Sequence, residues 1–426
     1  MSLSKQYRLK HLFSKRIGGA WGIEPDENAV VCLRAADVLT DQFSHKIYDL
    51  TYRTFSDQEL ISRKLKVGDL IIEKSGGGEN QPVGRVAKFI LEEDALCSNF
   101  LDLLRPNNDI VTTNYICYIL YNLWKNRTVV RSIKQTTGIQ NLDIEDYFDN
   151  KVKIPAISQQ NKIVDYLDNE VAKIDALIEK KKQLIDILEE KKKAVIKQVV
   201  TKGLDPNFSI KDSGIGWLGE IPKHWQLVKL KYLSNGIETG GTPNGYDIPL
   251  SNGENVHNWF TPGDLDEDYN KVYESKRKLS YEVIENSSVR MYDSNSVMFV
   301  GIGATLGKVA VTDSKFYTNQ QLNIIELKDN VNKFFIAFSL SALINVSKML
   351  ANSATLPILN QQKLGDIQIP IPKLEEQNLL VEHLETICDN HANVVFKISN
   401  SIELLKEKRT AIISAAVNGE LNASLL

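Results

Sequence analysis

From Val164 to Val199, apolar side chains return alternately every three and four residues. Val164, Leu167, Val171, Ile174, Ile178, Lys181, Ile185, Leu188, Lys192, Val195 and Val199 occupy the two inner positions of a heptad, and nine of these eleven are apolar. This period is that of an amphipathic helix whose stripe faces a partner helix. The same register appears 217 residues later, where Val381, Leu384, Cys388, His391, Val395, Ile398, Ile402, Leu405, Arg409, Ile412 and Ala416 again include nine apolar residues. Each stripe begins soon after a proline, Pro155 or Pro372, a residue tolerated at a helix entrance and not inside one. About 43 residues at 1.5 Å each predict a rod of roughly 65 Å. Lys181, Lys192, His391 and Arg409 interrupt the seam, and their charged heads are expected to reach solvent along their apolar stems.

The shared register belongs to a longer repeat. Ile154-Pro155-Ala156-Ile157-Ser158-Gln159-Gln160-Asn161 answers Ile371-Pro372-Lys373-Leu374-Glu375-Glu376-Gln377-Asn378, and Leu142 falls on Leu359. Upstream the match loosens but persists. Leu9-Lys10-His11-Leu12 resembles Leu230-Lys231-Tyr232-Leu233, with Gly18-Gly19 and Gly240-Gly241 following each, and Gly84-Arg85-Val86-Ala87 resembles Gly307-Lys308-Val309-Ala310. The chain therefore reads as two copies of one unit, a variable globular part followed by a more uniform helix. In the globular parts Asp69 to Ile72, Arg85 to Ile90, Ser296 to Val300 and Lys308 to Thr312 are strand candidates between glycine-rich turns. Tyr115 to Trp124 and Lys333 to Leu343 are helix candidates. Neither long helix hides its stripe alone, so the two are expected to pack together. The intervening unit makes that pair antiparallel.

Composition narrows the class. With 42% hydrophobic and 25% charged residues the chain is neither disordered nor fibrous. No apolar run approaches the roughly 18 to 20 residues that span a bilayer, and the polar, basic start from Met1 to Lys10 lacks the apolar core of a secretory signal; a cytoplasmic protein is expected. Cys32, Cys97, Cys117 and Cys388 include no C-x-x-C pair, which speaks for reduced thiols. A net charge of −3, from 51 basic and 54 acidic residues, carries no overall basic excess, so any DNA binding must rest on local patches or on partners.

Several motifs suggest chemistry and fail on spacing. Phe299-Val300-Gly301-Ile302-Gly303 fits the F-x-G-x-G of S-adenosylmethionine sites, but no Pro-Pro pair supplies the N-P-P-Y-type motif of amino methylation, and a glycine-rich β-turn is the expected structure. Gly303-Ala304-Thr305-Leu306-Gly307-Lys308 lacks the glycine and hydroxyl spacing of a phosphate loop. Asp69, Glu73 and Lys74 lack the E-x-K spacing of a nuclease, and the six histidines show no metal-ligand spacing. No catalytic, cofactor or metal constellation emerges. What remains is polar and basic material near turns: Lys74, Ser75, Arg85, Lys88, Arg131, Lys134, Gln135, Thr136, Thr137, Gln140 and Asn141 in the first copy. In the second it is Lys276, Arg277, Lys278, Arg290, Thr305, Lys308, Thr318, Asn319, Gln320 and Gln321. Arg and Lys suit phosphates and guanine edges, Asn and Gln the adenine edge; singly, each residue is more often a solvated loop side chain.

The chain resembles the specificity subunits of type I restriction-modification systems. The resemblance rests on Gly216-Trp217-Leu218-Gly219-Glu220-Ile221-Pro222-Lys223-His224-Trp225, on Ile369-Pro370-Ile371-Pro372-Lys373-Leu374-Glu375-Glu376-Gln377, and on the duplicated layout. The first copy departs from it, with Ser158-Gln159-Gln160 for Glu375-Glu376-Gln377 and no Gly-Trp-x-Gly-Glu-Ile-Pro opening. The resemblance implies an α+β fold: two similar mixed α/β target recognition domains, at 1–153 and 223–370, joined by helical spacers at 154–203 and 371–420 that form an antiparallel coiled coil with pseudo-two-fold symmetry. A connector spans 204–222 and a tail 421–426. It further implies a chain with no catalysis of its own, which reads a bipartite site in double-stranded DNA and docks two methyltransferase subunits and the restriction/translocase subunits. S-adenosylmethionine, ATP and Mg would belong to those partners. The alternative is a coiled-coil adaptor that joins two protein-binding modules without touching DNA.

Overall fold

A computed structural model describes residues 4–135, 138–216, 218–245, 256–266, 270–343 and 357–421. The chain divides into two compact units, Met1–Lys182 with Ser399–Leu426, and Gln183–Ile398. Each long helix, Ile157–Lys202 or Leu374–Asn418, gives part of its length to each unit.

Unit 1 is built on a four-stranded antiparallel sheet in the order Phe13–Gly18, Leu101–Pro106, Leu70–Glu73, Val86–Lys88. Every residue of Leu70–Glu73 is buried, because both faces of the sheet are covered. Alternation decides which side chain meets which layer. Leu70, Ile72, Val86 and Leu104 pack with helix Thr113–Lys125, while Ile71, Ala87, Leu101 and Leu103 pack under a small sheet made of Ala95–Cys97, Val30–Leu33 and Tyr52–Arg53. In that small sheet the first pair is parallel and the second antiparallel.

Unit 2 repeats this two-sheet plan. Its main sheet runs Ser234–Thr239, Leu322–Leu327, Ser296–Val300, Val309–Val311, with Asn270–Lys271 added at the edge. Val297, Phe299, Val309 and Ile325 face helix Lys333–Ala342, and Met298, Val300, Ala310 and Ile324 face the other way. Its small sheet, Lys278–Ser280, Val256–Phe260 and Tyr317–Thr318, again has one antiparallel and one parallel pair. Both predicted helices and all four predicted strands are present, the strands shifted or shortened by a residue or two except for Ser296–Val300.

Two devices close each unit onto the start of its long helix. A strand from the beginning of the unit pairs antiparallel with the strand before the helix, Lys5–Arg8 with Lys151–Ile154 and Gln226–Lys229 with Gln368–Ile371. The first helical turn then latches the globular part through one glutamine. Gln160 accepts from the Thr112 N–H at 2.8 Å and donates to the Ile110 and Pro155 carbonyls. Gln377 accepts from the Asn332 N–H at 2.8 Å and donates to the Pro372 carbonyl at 3.0 Å. Thr112 and Asn332 each precede the buried helix of their unit, so one amide side chain satisfies a helix-start donor and fixes two elements together. The double glycines also have a structural reason. A Cβ on Gly19 would lie 2.1 Å from the Ser98 carbonyl oxygen, and one on Gly240 would lie 2.0 Å from Thr318 Oγ1, so only glycine allows the turn beside the small sheet to close.

The long helices run antiparallel within each unit. In unit 1 Val164, Leu167 and Val171 share a core with Ile413, Ala416 and Val417; in unit 2 Ile196, Val199 and Val200 share one with Leu380, Val381 and Leu384. All the heptad positions named above are buried or half-buried. Arg409 corrects the expectation that seam cations reach solvent: it is 4% exposed and paired with Asp175 at 2.9 Å, because a globular element covers the seam there. His391 lies 3.5 Å from Glu189, and Lys192 pairs with Glu189 one turn earlier on its own helix.

The latch makes a direct prediction. Gln377→Ala strands the Asn332 N–H and the Pro372 carbonyl in a dry site and should cost about 1–3 kcal/mol of stability, with Gln160→Ala behaving alike. Chemical denaturation measures it; a loss below about 0.5 kcal/mol, the range of neutral surface changes, would show the latch to be dispensable.

Candidate nucleic-acid interface

In unit 1 part of the candidate set converges on one ribbon. Ile133–Gln135, Gln140–Leu142 and Ser75–Gly76 form a three-stranded antiparallel sheet with Lys134 opposite Asn141 and Gln135 opposite Gln140. Ser75, Asn141, Lys134 and Gln135 are thereby neighbours, and Arg131 stands exposed on the short helix Thr128–Ser132 that leads in. Ser75 Oγ donates to Asn141 Oδ1 at 2.6 Å. Lys134 Nζ lies 2.6 Å from Asp143, which raises the lysine's pKa and lowers that of the carboxyl. Gln140 is buried, its side-chain oxygen accepting from the Val83 N–H. Thr136 and Thr137 lie outside the described residues. Lys, Gln, Asn and Ser along such a sheet supply the donor and acceptor groups that base edges and phosphates match.

The other unit 1 candidates are held inside the fold. Arg85 makes a two-pronged contact with Glu73, at 2.8 and 2.9 Å, and also donates to the Ala35 carbonyl. Lys74 pairs with Asp102 at 2.7 Å, and Lys88 donates to Asn114 at 3.0 Å.

In unit 2 the candidates gather around the small sheet and its turns. The Lys276 N–H donates to Asp264 Oδ1 and its ammonium donates to the Gly263 carbonyl; the Lys308 ammonium donates to the Leu265 carbonyl at 2.9 Å. Lys278 lies 3.4 Å from Glu274, and Arg277 is exposed beside it. Asn319, only 8% exposed, is folded into its own turn, donating to Gln321 Oε1 and accepting from the Gln321 N–H. Gln320 is exposed and accepts from the Thr242 hydroxyl. Thr305 sits in the turn before Lys308, its carbonyl accepting the Lys308 N–H. Arg290 lies apart from this group, clamped between Glu238 and Glu326 over the Tyr292 ring. The ribbon of unit 1 has one described counterpart in unit 2, the bridge between Ile302 and Ile358.

Exposed aromatic side chains were not among the candidates. Trp21, with Arg53 stacked 4.6 Å from its ring, Tyr48 and Tyr52 stand beside the small sheet of unit 1; Tyr273 and Tyr281 flank Lys278–Ser280 in unit 2. The sequence signal is aromatic residues interleaved with basic ones, as in Lys271-Val272-Tyr273-Glu274-Ser275-Lys276-Arg277-Lys278. Such rings offer sugars an apolar face beside cations that meet phosphate.

The site offers little for covalent chemistry. Burial pushes the Cys32 thiol up to about 11 and those of Cys97 and Cys117 to about 12, away from reactive thiolates. Among the described residues no cluster of His, Cys, Asp or Glu is arranged to hold a metal ion. After Ser296–Val300 the glycines of the F-x-G-x-G stretch turn into strand Val309–Val311, where a nucleotide-binding crossover would need a helix.

Comparison with known proteins decides the family. The model of the type I restriction modification DNA specificity domain matches residues 60–186 and again 222–404, one match for each copy of the repeat. This chain is a type I specificity subunit. The MjaVIII specificity subunit of Methanocaldococcus jannaschii is 26% identical over 360 residues, covering 80% of this chain and 77% of that protein. The EcoKI specificity subunit of Escherichia coli K12 is 21% identical over 391 residues, covering 88% and 80%. The fold of this specificity subunit matches a chain from a solved type I R-M system, with a TM-score of 0.68 at 18% identity, covering 98% of each chain. It also matches the crystal structure of the HsdS subunit of Thermoanaerobacter tengcongensis, with a TM-score of 0.51 at 16% identity, covering 98% of this chain and 97% of that one.

The contrast between engaged and available cations is measurable in the specificity subunit. Arg85→Ala leaves Glu73, 2% exposed, as an unpaired buried charge and should cost about 3–5 kcal/mol. Glu73→Leu in the same chain should restore most of it, and Arg131→Ala should stay within about 0.5 kcal/mol. Denaturant titration of the variants checks this; equal effects of Arg85→Ala and Arg131→Ala would contradict the assignment.

Proposed function

We propose that this specificity subunit targets a type I restriction-modification complex by reading a bipartite site in double-stranded DNA, one half with each unit. The duplicated pair of sheets carries the reading: two units of one plan, each with exposed polar and aromatic side chains, suit two half-sites. The near-neutral net charge fits a subunit whose partners supply part of the hold on phosphate.

The two long helices serve as a spacer between half-sites and a docking surface for two methyltransferase subunits. Exposed apolar side chains on these helices support that role, Leu177, Leu184 and Ile187 on the first and Val394, Phe396 and Leu404 on the second. The methyltransferase subunits bring S-adenosylmethionine and adenine-N6 chemistry, and the restriction/translocase subunits bring ATP and Mg. This chain contributes binding and position and no bond-making step. The complex works where the chromosome is, in the cytoplasm.

Methylome sequencing of a strain with and without this gene, with its partner subunits expressed, tests the reading. Loss of one bipartite methyladenine motif on deletion is expected, together with no methyl transfer by the pure single chain. An unchanged methylome would favour the protein-binding adaptor.

A further inference from the structure

Arg409 is a heptad-seam residue of the second long helix, yet three other elements of unit 1 meet at its guanidinium. Its Nε donates to Asp175 Oδ1 at 2.9 Å on the first long helix. Nη1 donates to the Tyr121 hydroxyl at 2.8 Å on the buried helix Thr113–Lys125, and Nη2 donates to the Asp41 carbonyl in the turn Thr40–Gln42. The guanidinium plane lies 5.1 Å from the Phe43 ring and 5.3 Å from the Tyr121 ring.

The surrounding groups hold the same contact from the other side. Phe43 follows the turn at φ 53 and ψ 26, a left-handed conformation that a bulky side chain avoids unless its surroundings impose it. Its ring meets Tyr118 and Tyr121 edge-on at 4.7 and 4.9 Å. Tyr118 donates to Asp168 on the first long helix at 2.6 Å, and Tyr121 donates to Asp41 at 3.0 Å. Only a planar, permanently charged fork can donate in three directions while both aromatic rings pack against it. A lysine at this position would keep the charge and lose the geometry. The repeat places Lys192 at the corresponding position of the first long helix, paired with Glu189 at 2.9 Å along its own helix.

We propose that Arg409 is a positioning residue that fixes the seat of the first globular part on the paired long helices, and through that seat the spacing at which the two half-sites are accepted. The proposal rests on the bipartite reading above. It predicts a loss of spacing discrimination with no change in the bases recognised, because the groups that Arg409 meets, Asp175, Tyr121, the Asp41 carbonyl and Phe43, are none of them residues of the polar ribbon of unit 1.

The test uses the complete methyltransferase complex on duplexes carrying both half-sites at the native spacing and at one base pair more or less. With Arg409→Gln, methylation at the altered spacings relative to the native one should rise about tenfold, while scrambling either half-site still abolishes it. Arg409→Lys should behave as Arg409→Gln does. Phe43→Leu keeps the ion pair, removes the stacked ring and should move the ratio in the same direction; it decides the matter if Arg409→Gln does not assemble. An unchanged ratio in a folded, active variant, even with uniformly lower activity, overturns the proposal alone. A parental complex that methylates no bipartite motif overturns the functional reading and this proposal with it.

Discussion

An amphipathic helix of 45 residues cannot cover its own apolar stripe. Here the demand is met in parts. In each unit the globular core is completed by residues of both helices, Ile163 to Val171 with Ile413 to Val417 in unit 1 and Ile196 to Val200 with Leu380 to Leu384 in unit 2. Neither globular part nor either helix is a finished structure without the others, since each core counts residues of both helices among its buried members. The closing strand pair, the glutamine latch and the Arg409 contact all serve that one requirement, that a sheet-and-helix body be joined firmly to a helix that continues beyond it.

Much of this was legible in the sequence, where periodicity and duplication carry the information. The heptads located both long helices, and their prolines marked the starts to within two residues. The fully apolar run from Val297 to Val300 read directly as a buried strand. Residues whose role depends on distant partners were not legible. The repeat aligned Gln160 with Gln377, but nothing local reveals that each reaches the start of a helix some 45 residues earlier. Arg409 read as a seam cation bound for solvent because a heptad describes only the helix-facing side, and Phe43 and Tyr121 cover it from the globular part.

The candidate interface shows the same division. Composition near turns selected Arg85 and Lys134 alike, yet one is locked to a buried glutamate across a hairpin and the other lies on an exposed ribbon. Both have a carboxylate partner, but the Arg85–Glu73 pair is buried whereas Lys134 stays exposed beside Asp143, and single-residue inspection does not see that difference. Aromatic residues at the surface were passed over because an isolated tyrosine in a sequence looks like core. Tyr48, Tyr52 and Tyr273 become informative only when folding leaves them exposed beside cations. A mean composition with slightly more acid than base hides these local surfaces, because many cations are neutralised within the units.

The central claim, that two units of one plan each read their own half of the target, is tested most directly by exchanging residues 1–153 for the equivalent part of a relative with a different, known specificity. Methylome sequencing of a strain carrying the hybrid with its partner subunits is the measurement. The account predicts a motif in which one half-site is replaced by the donor's and the other is unchanged. Replacement of both halves together, or of neither in an active complex, would contradict it.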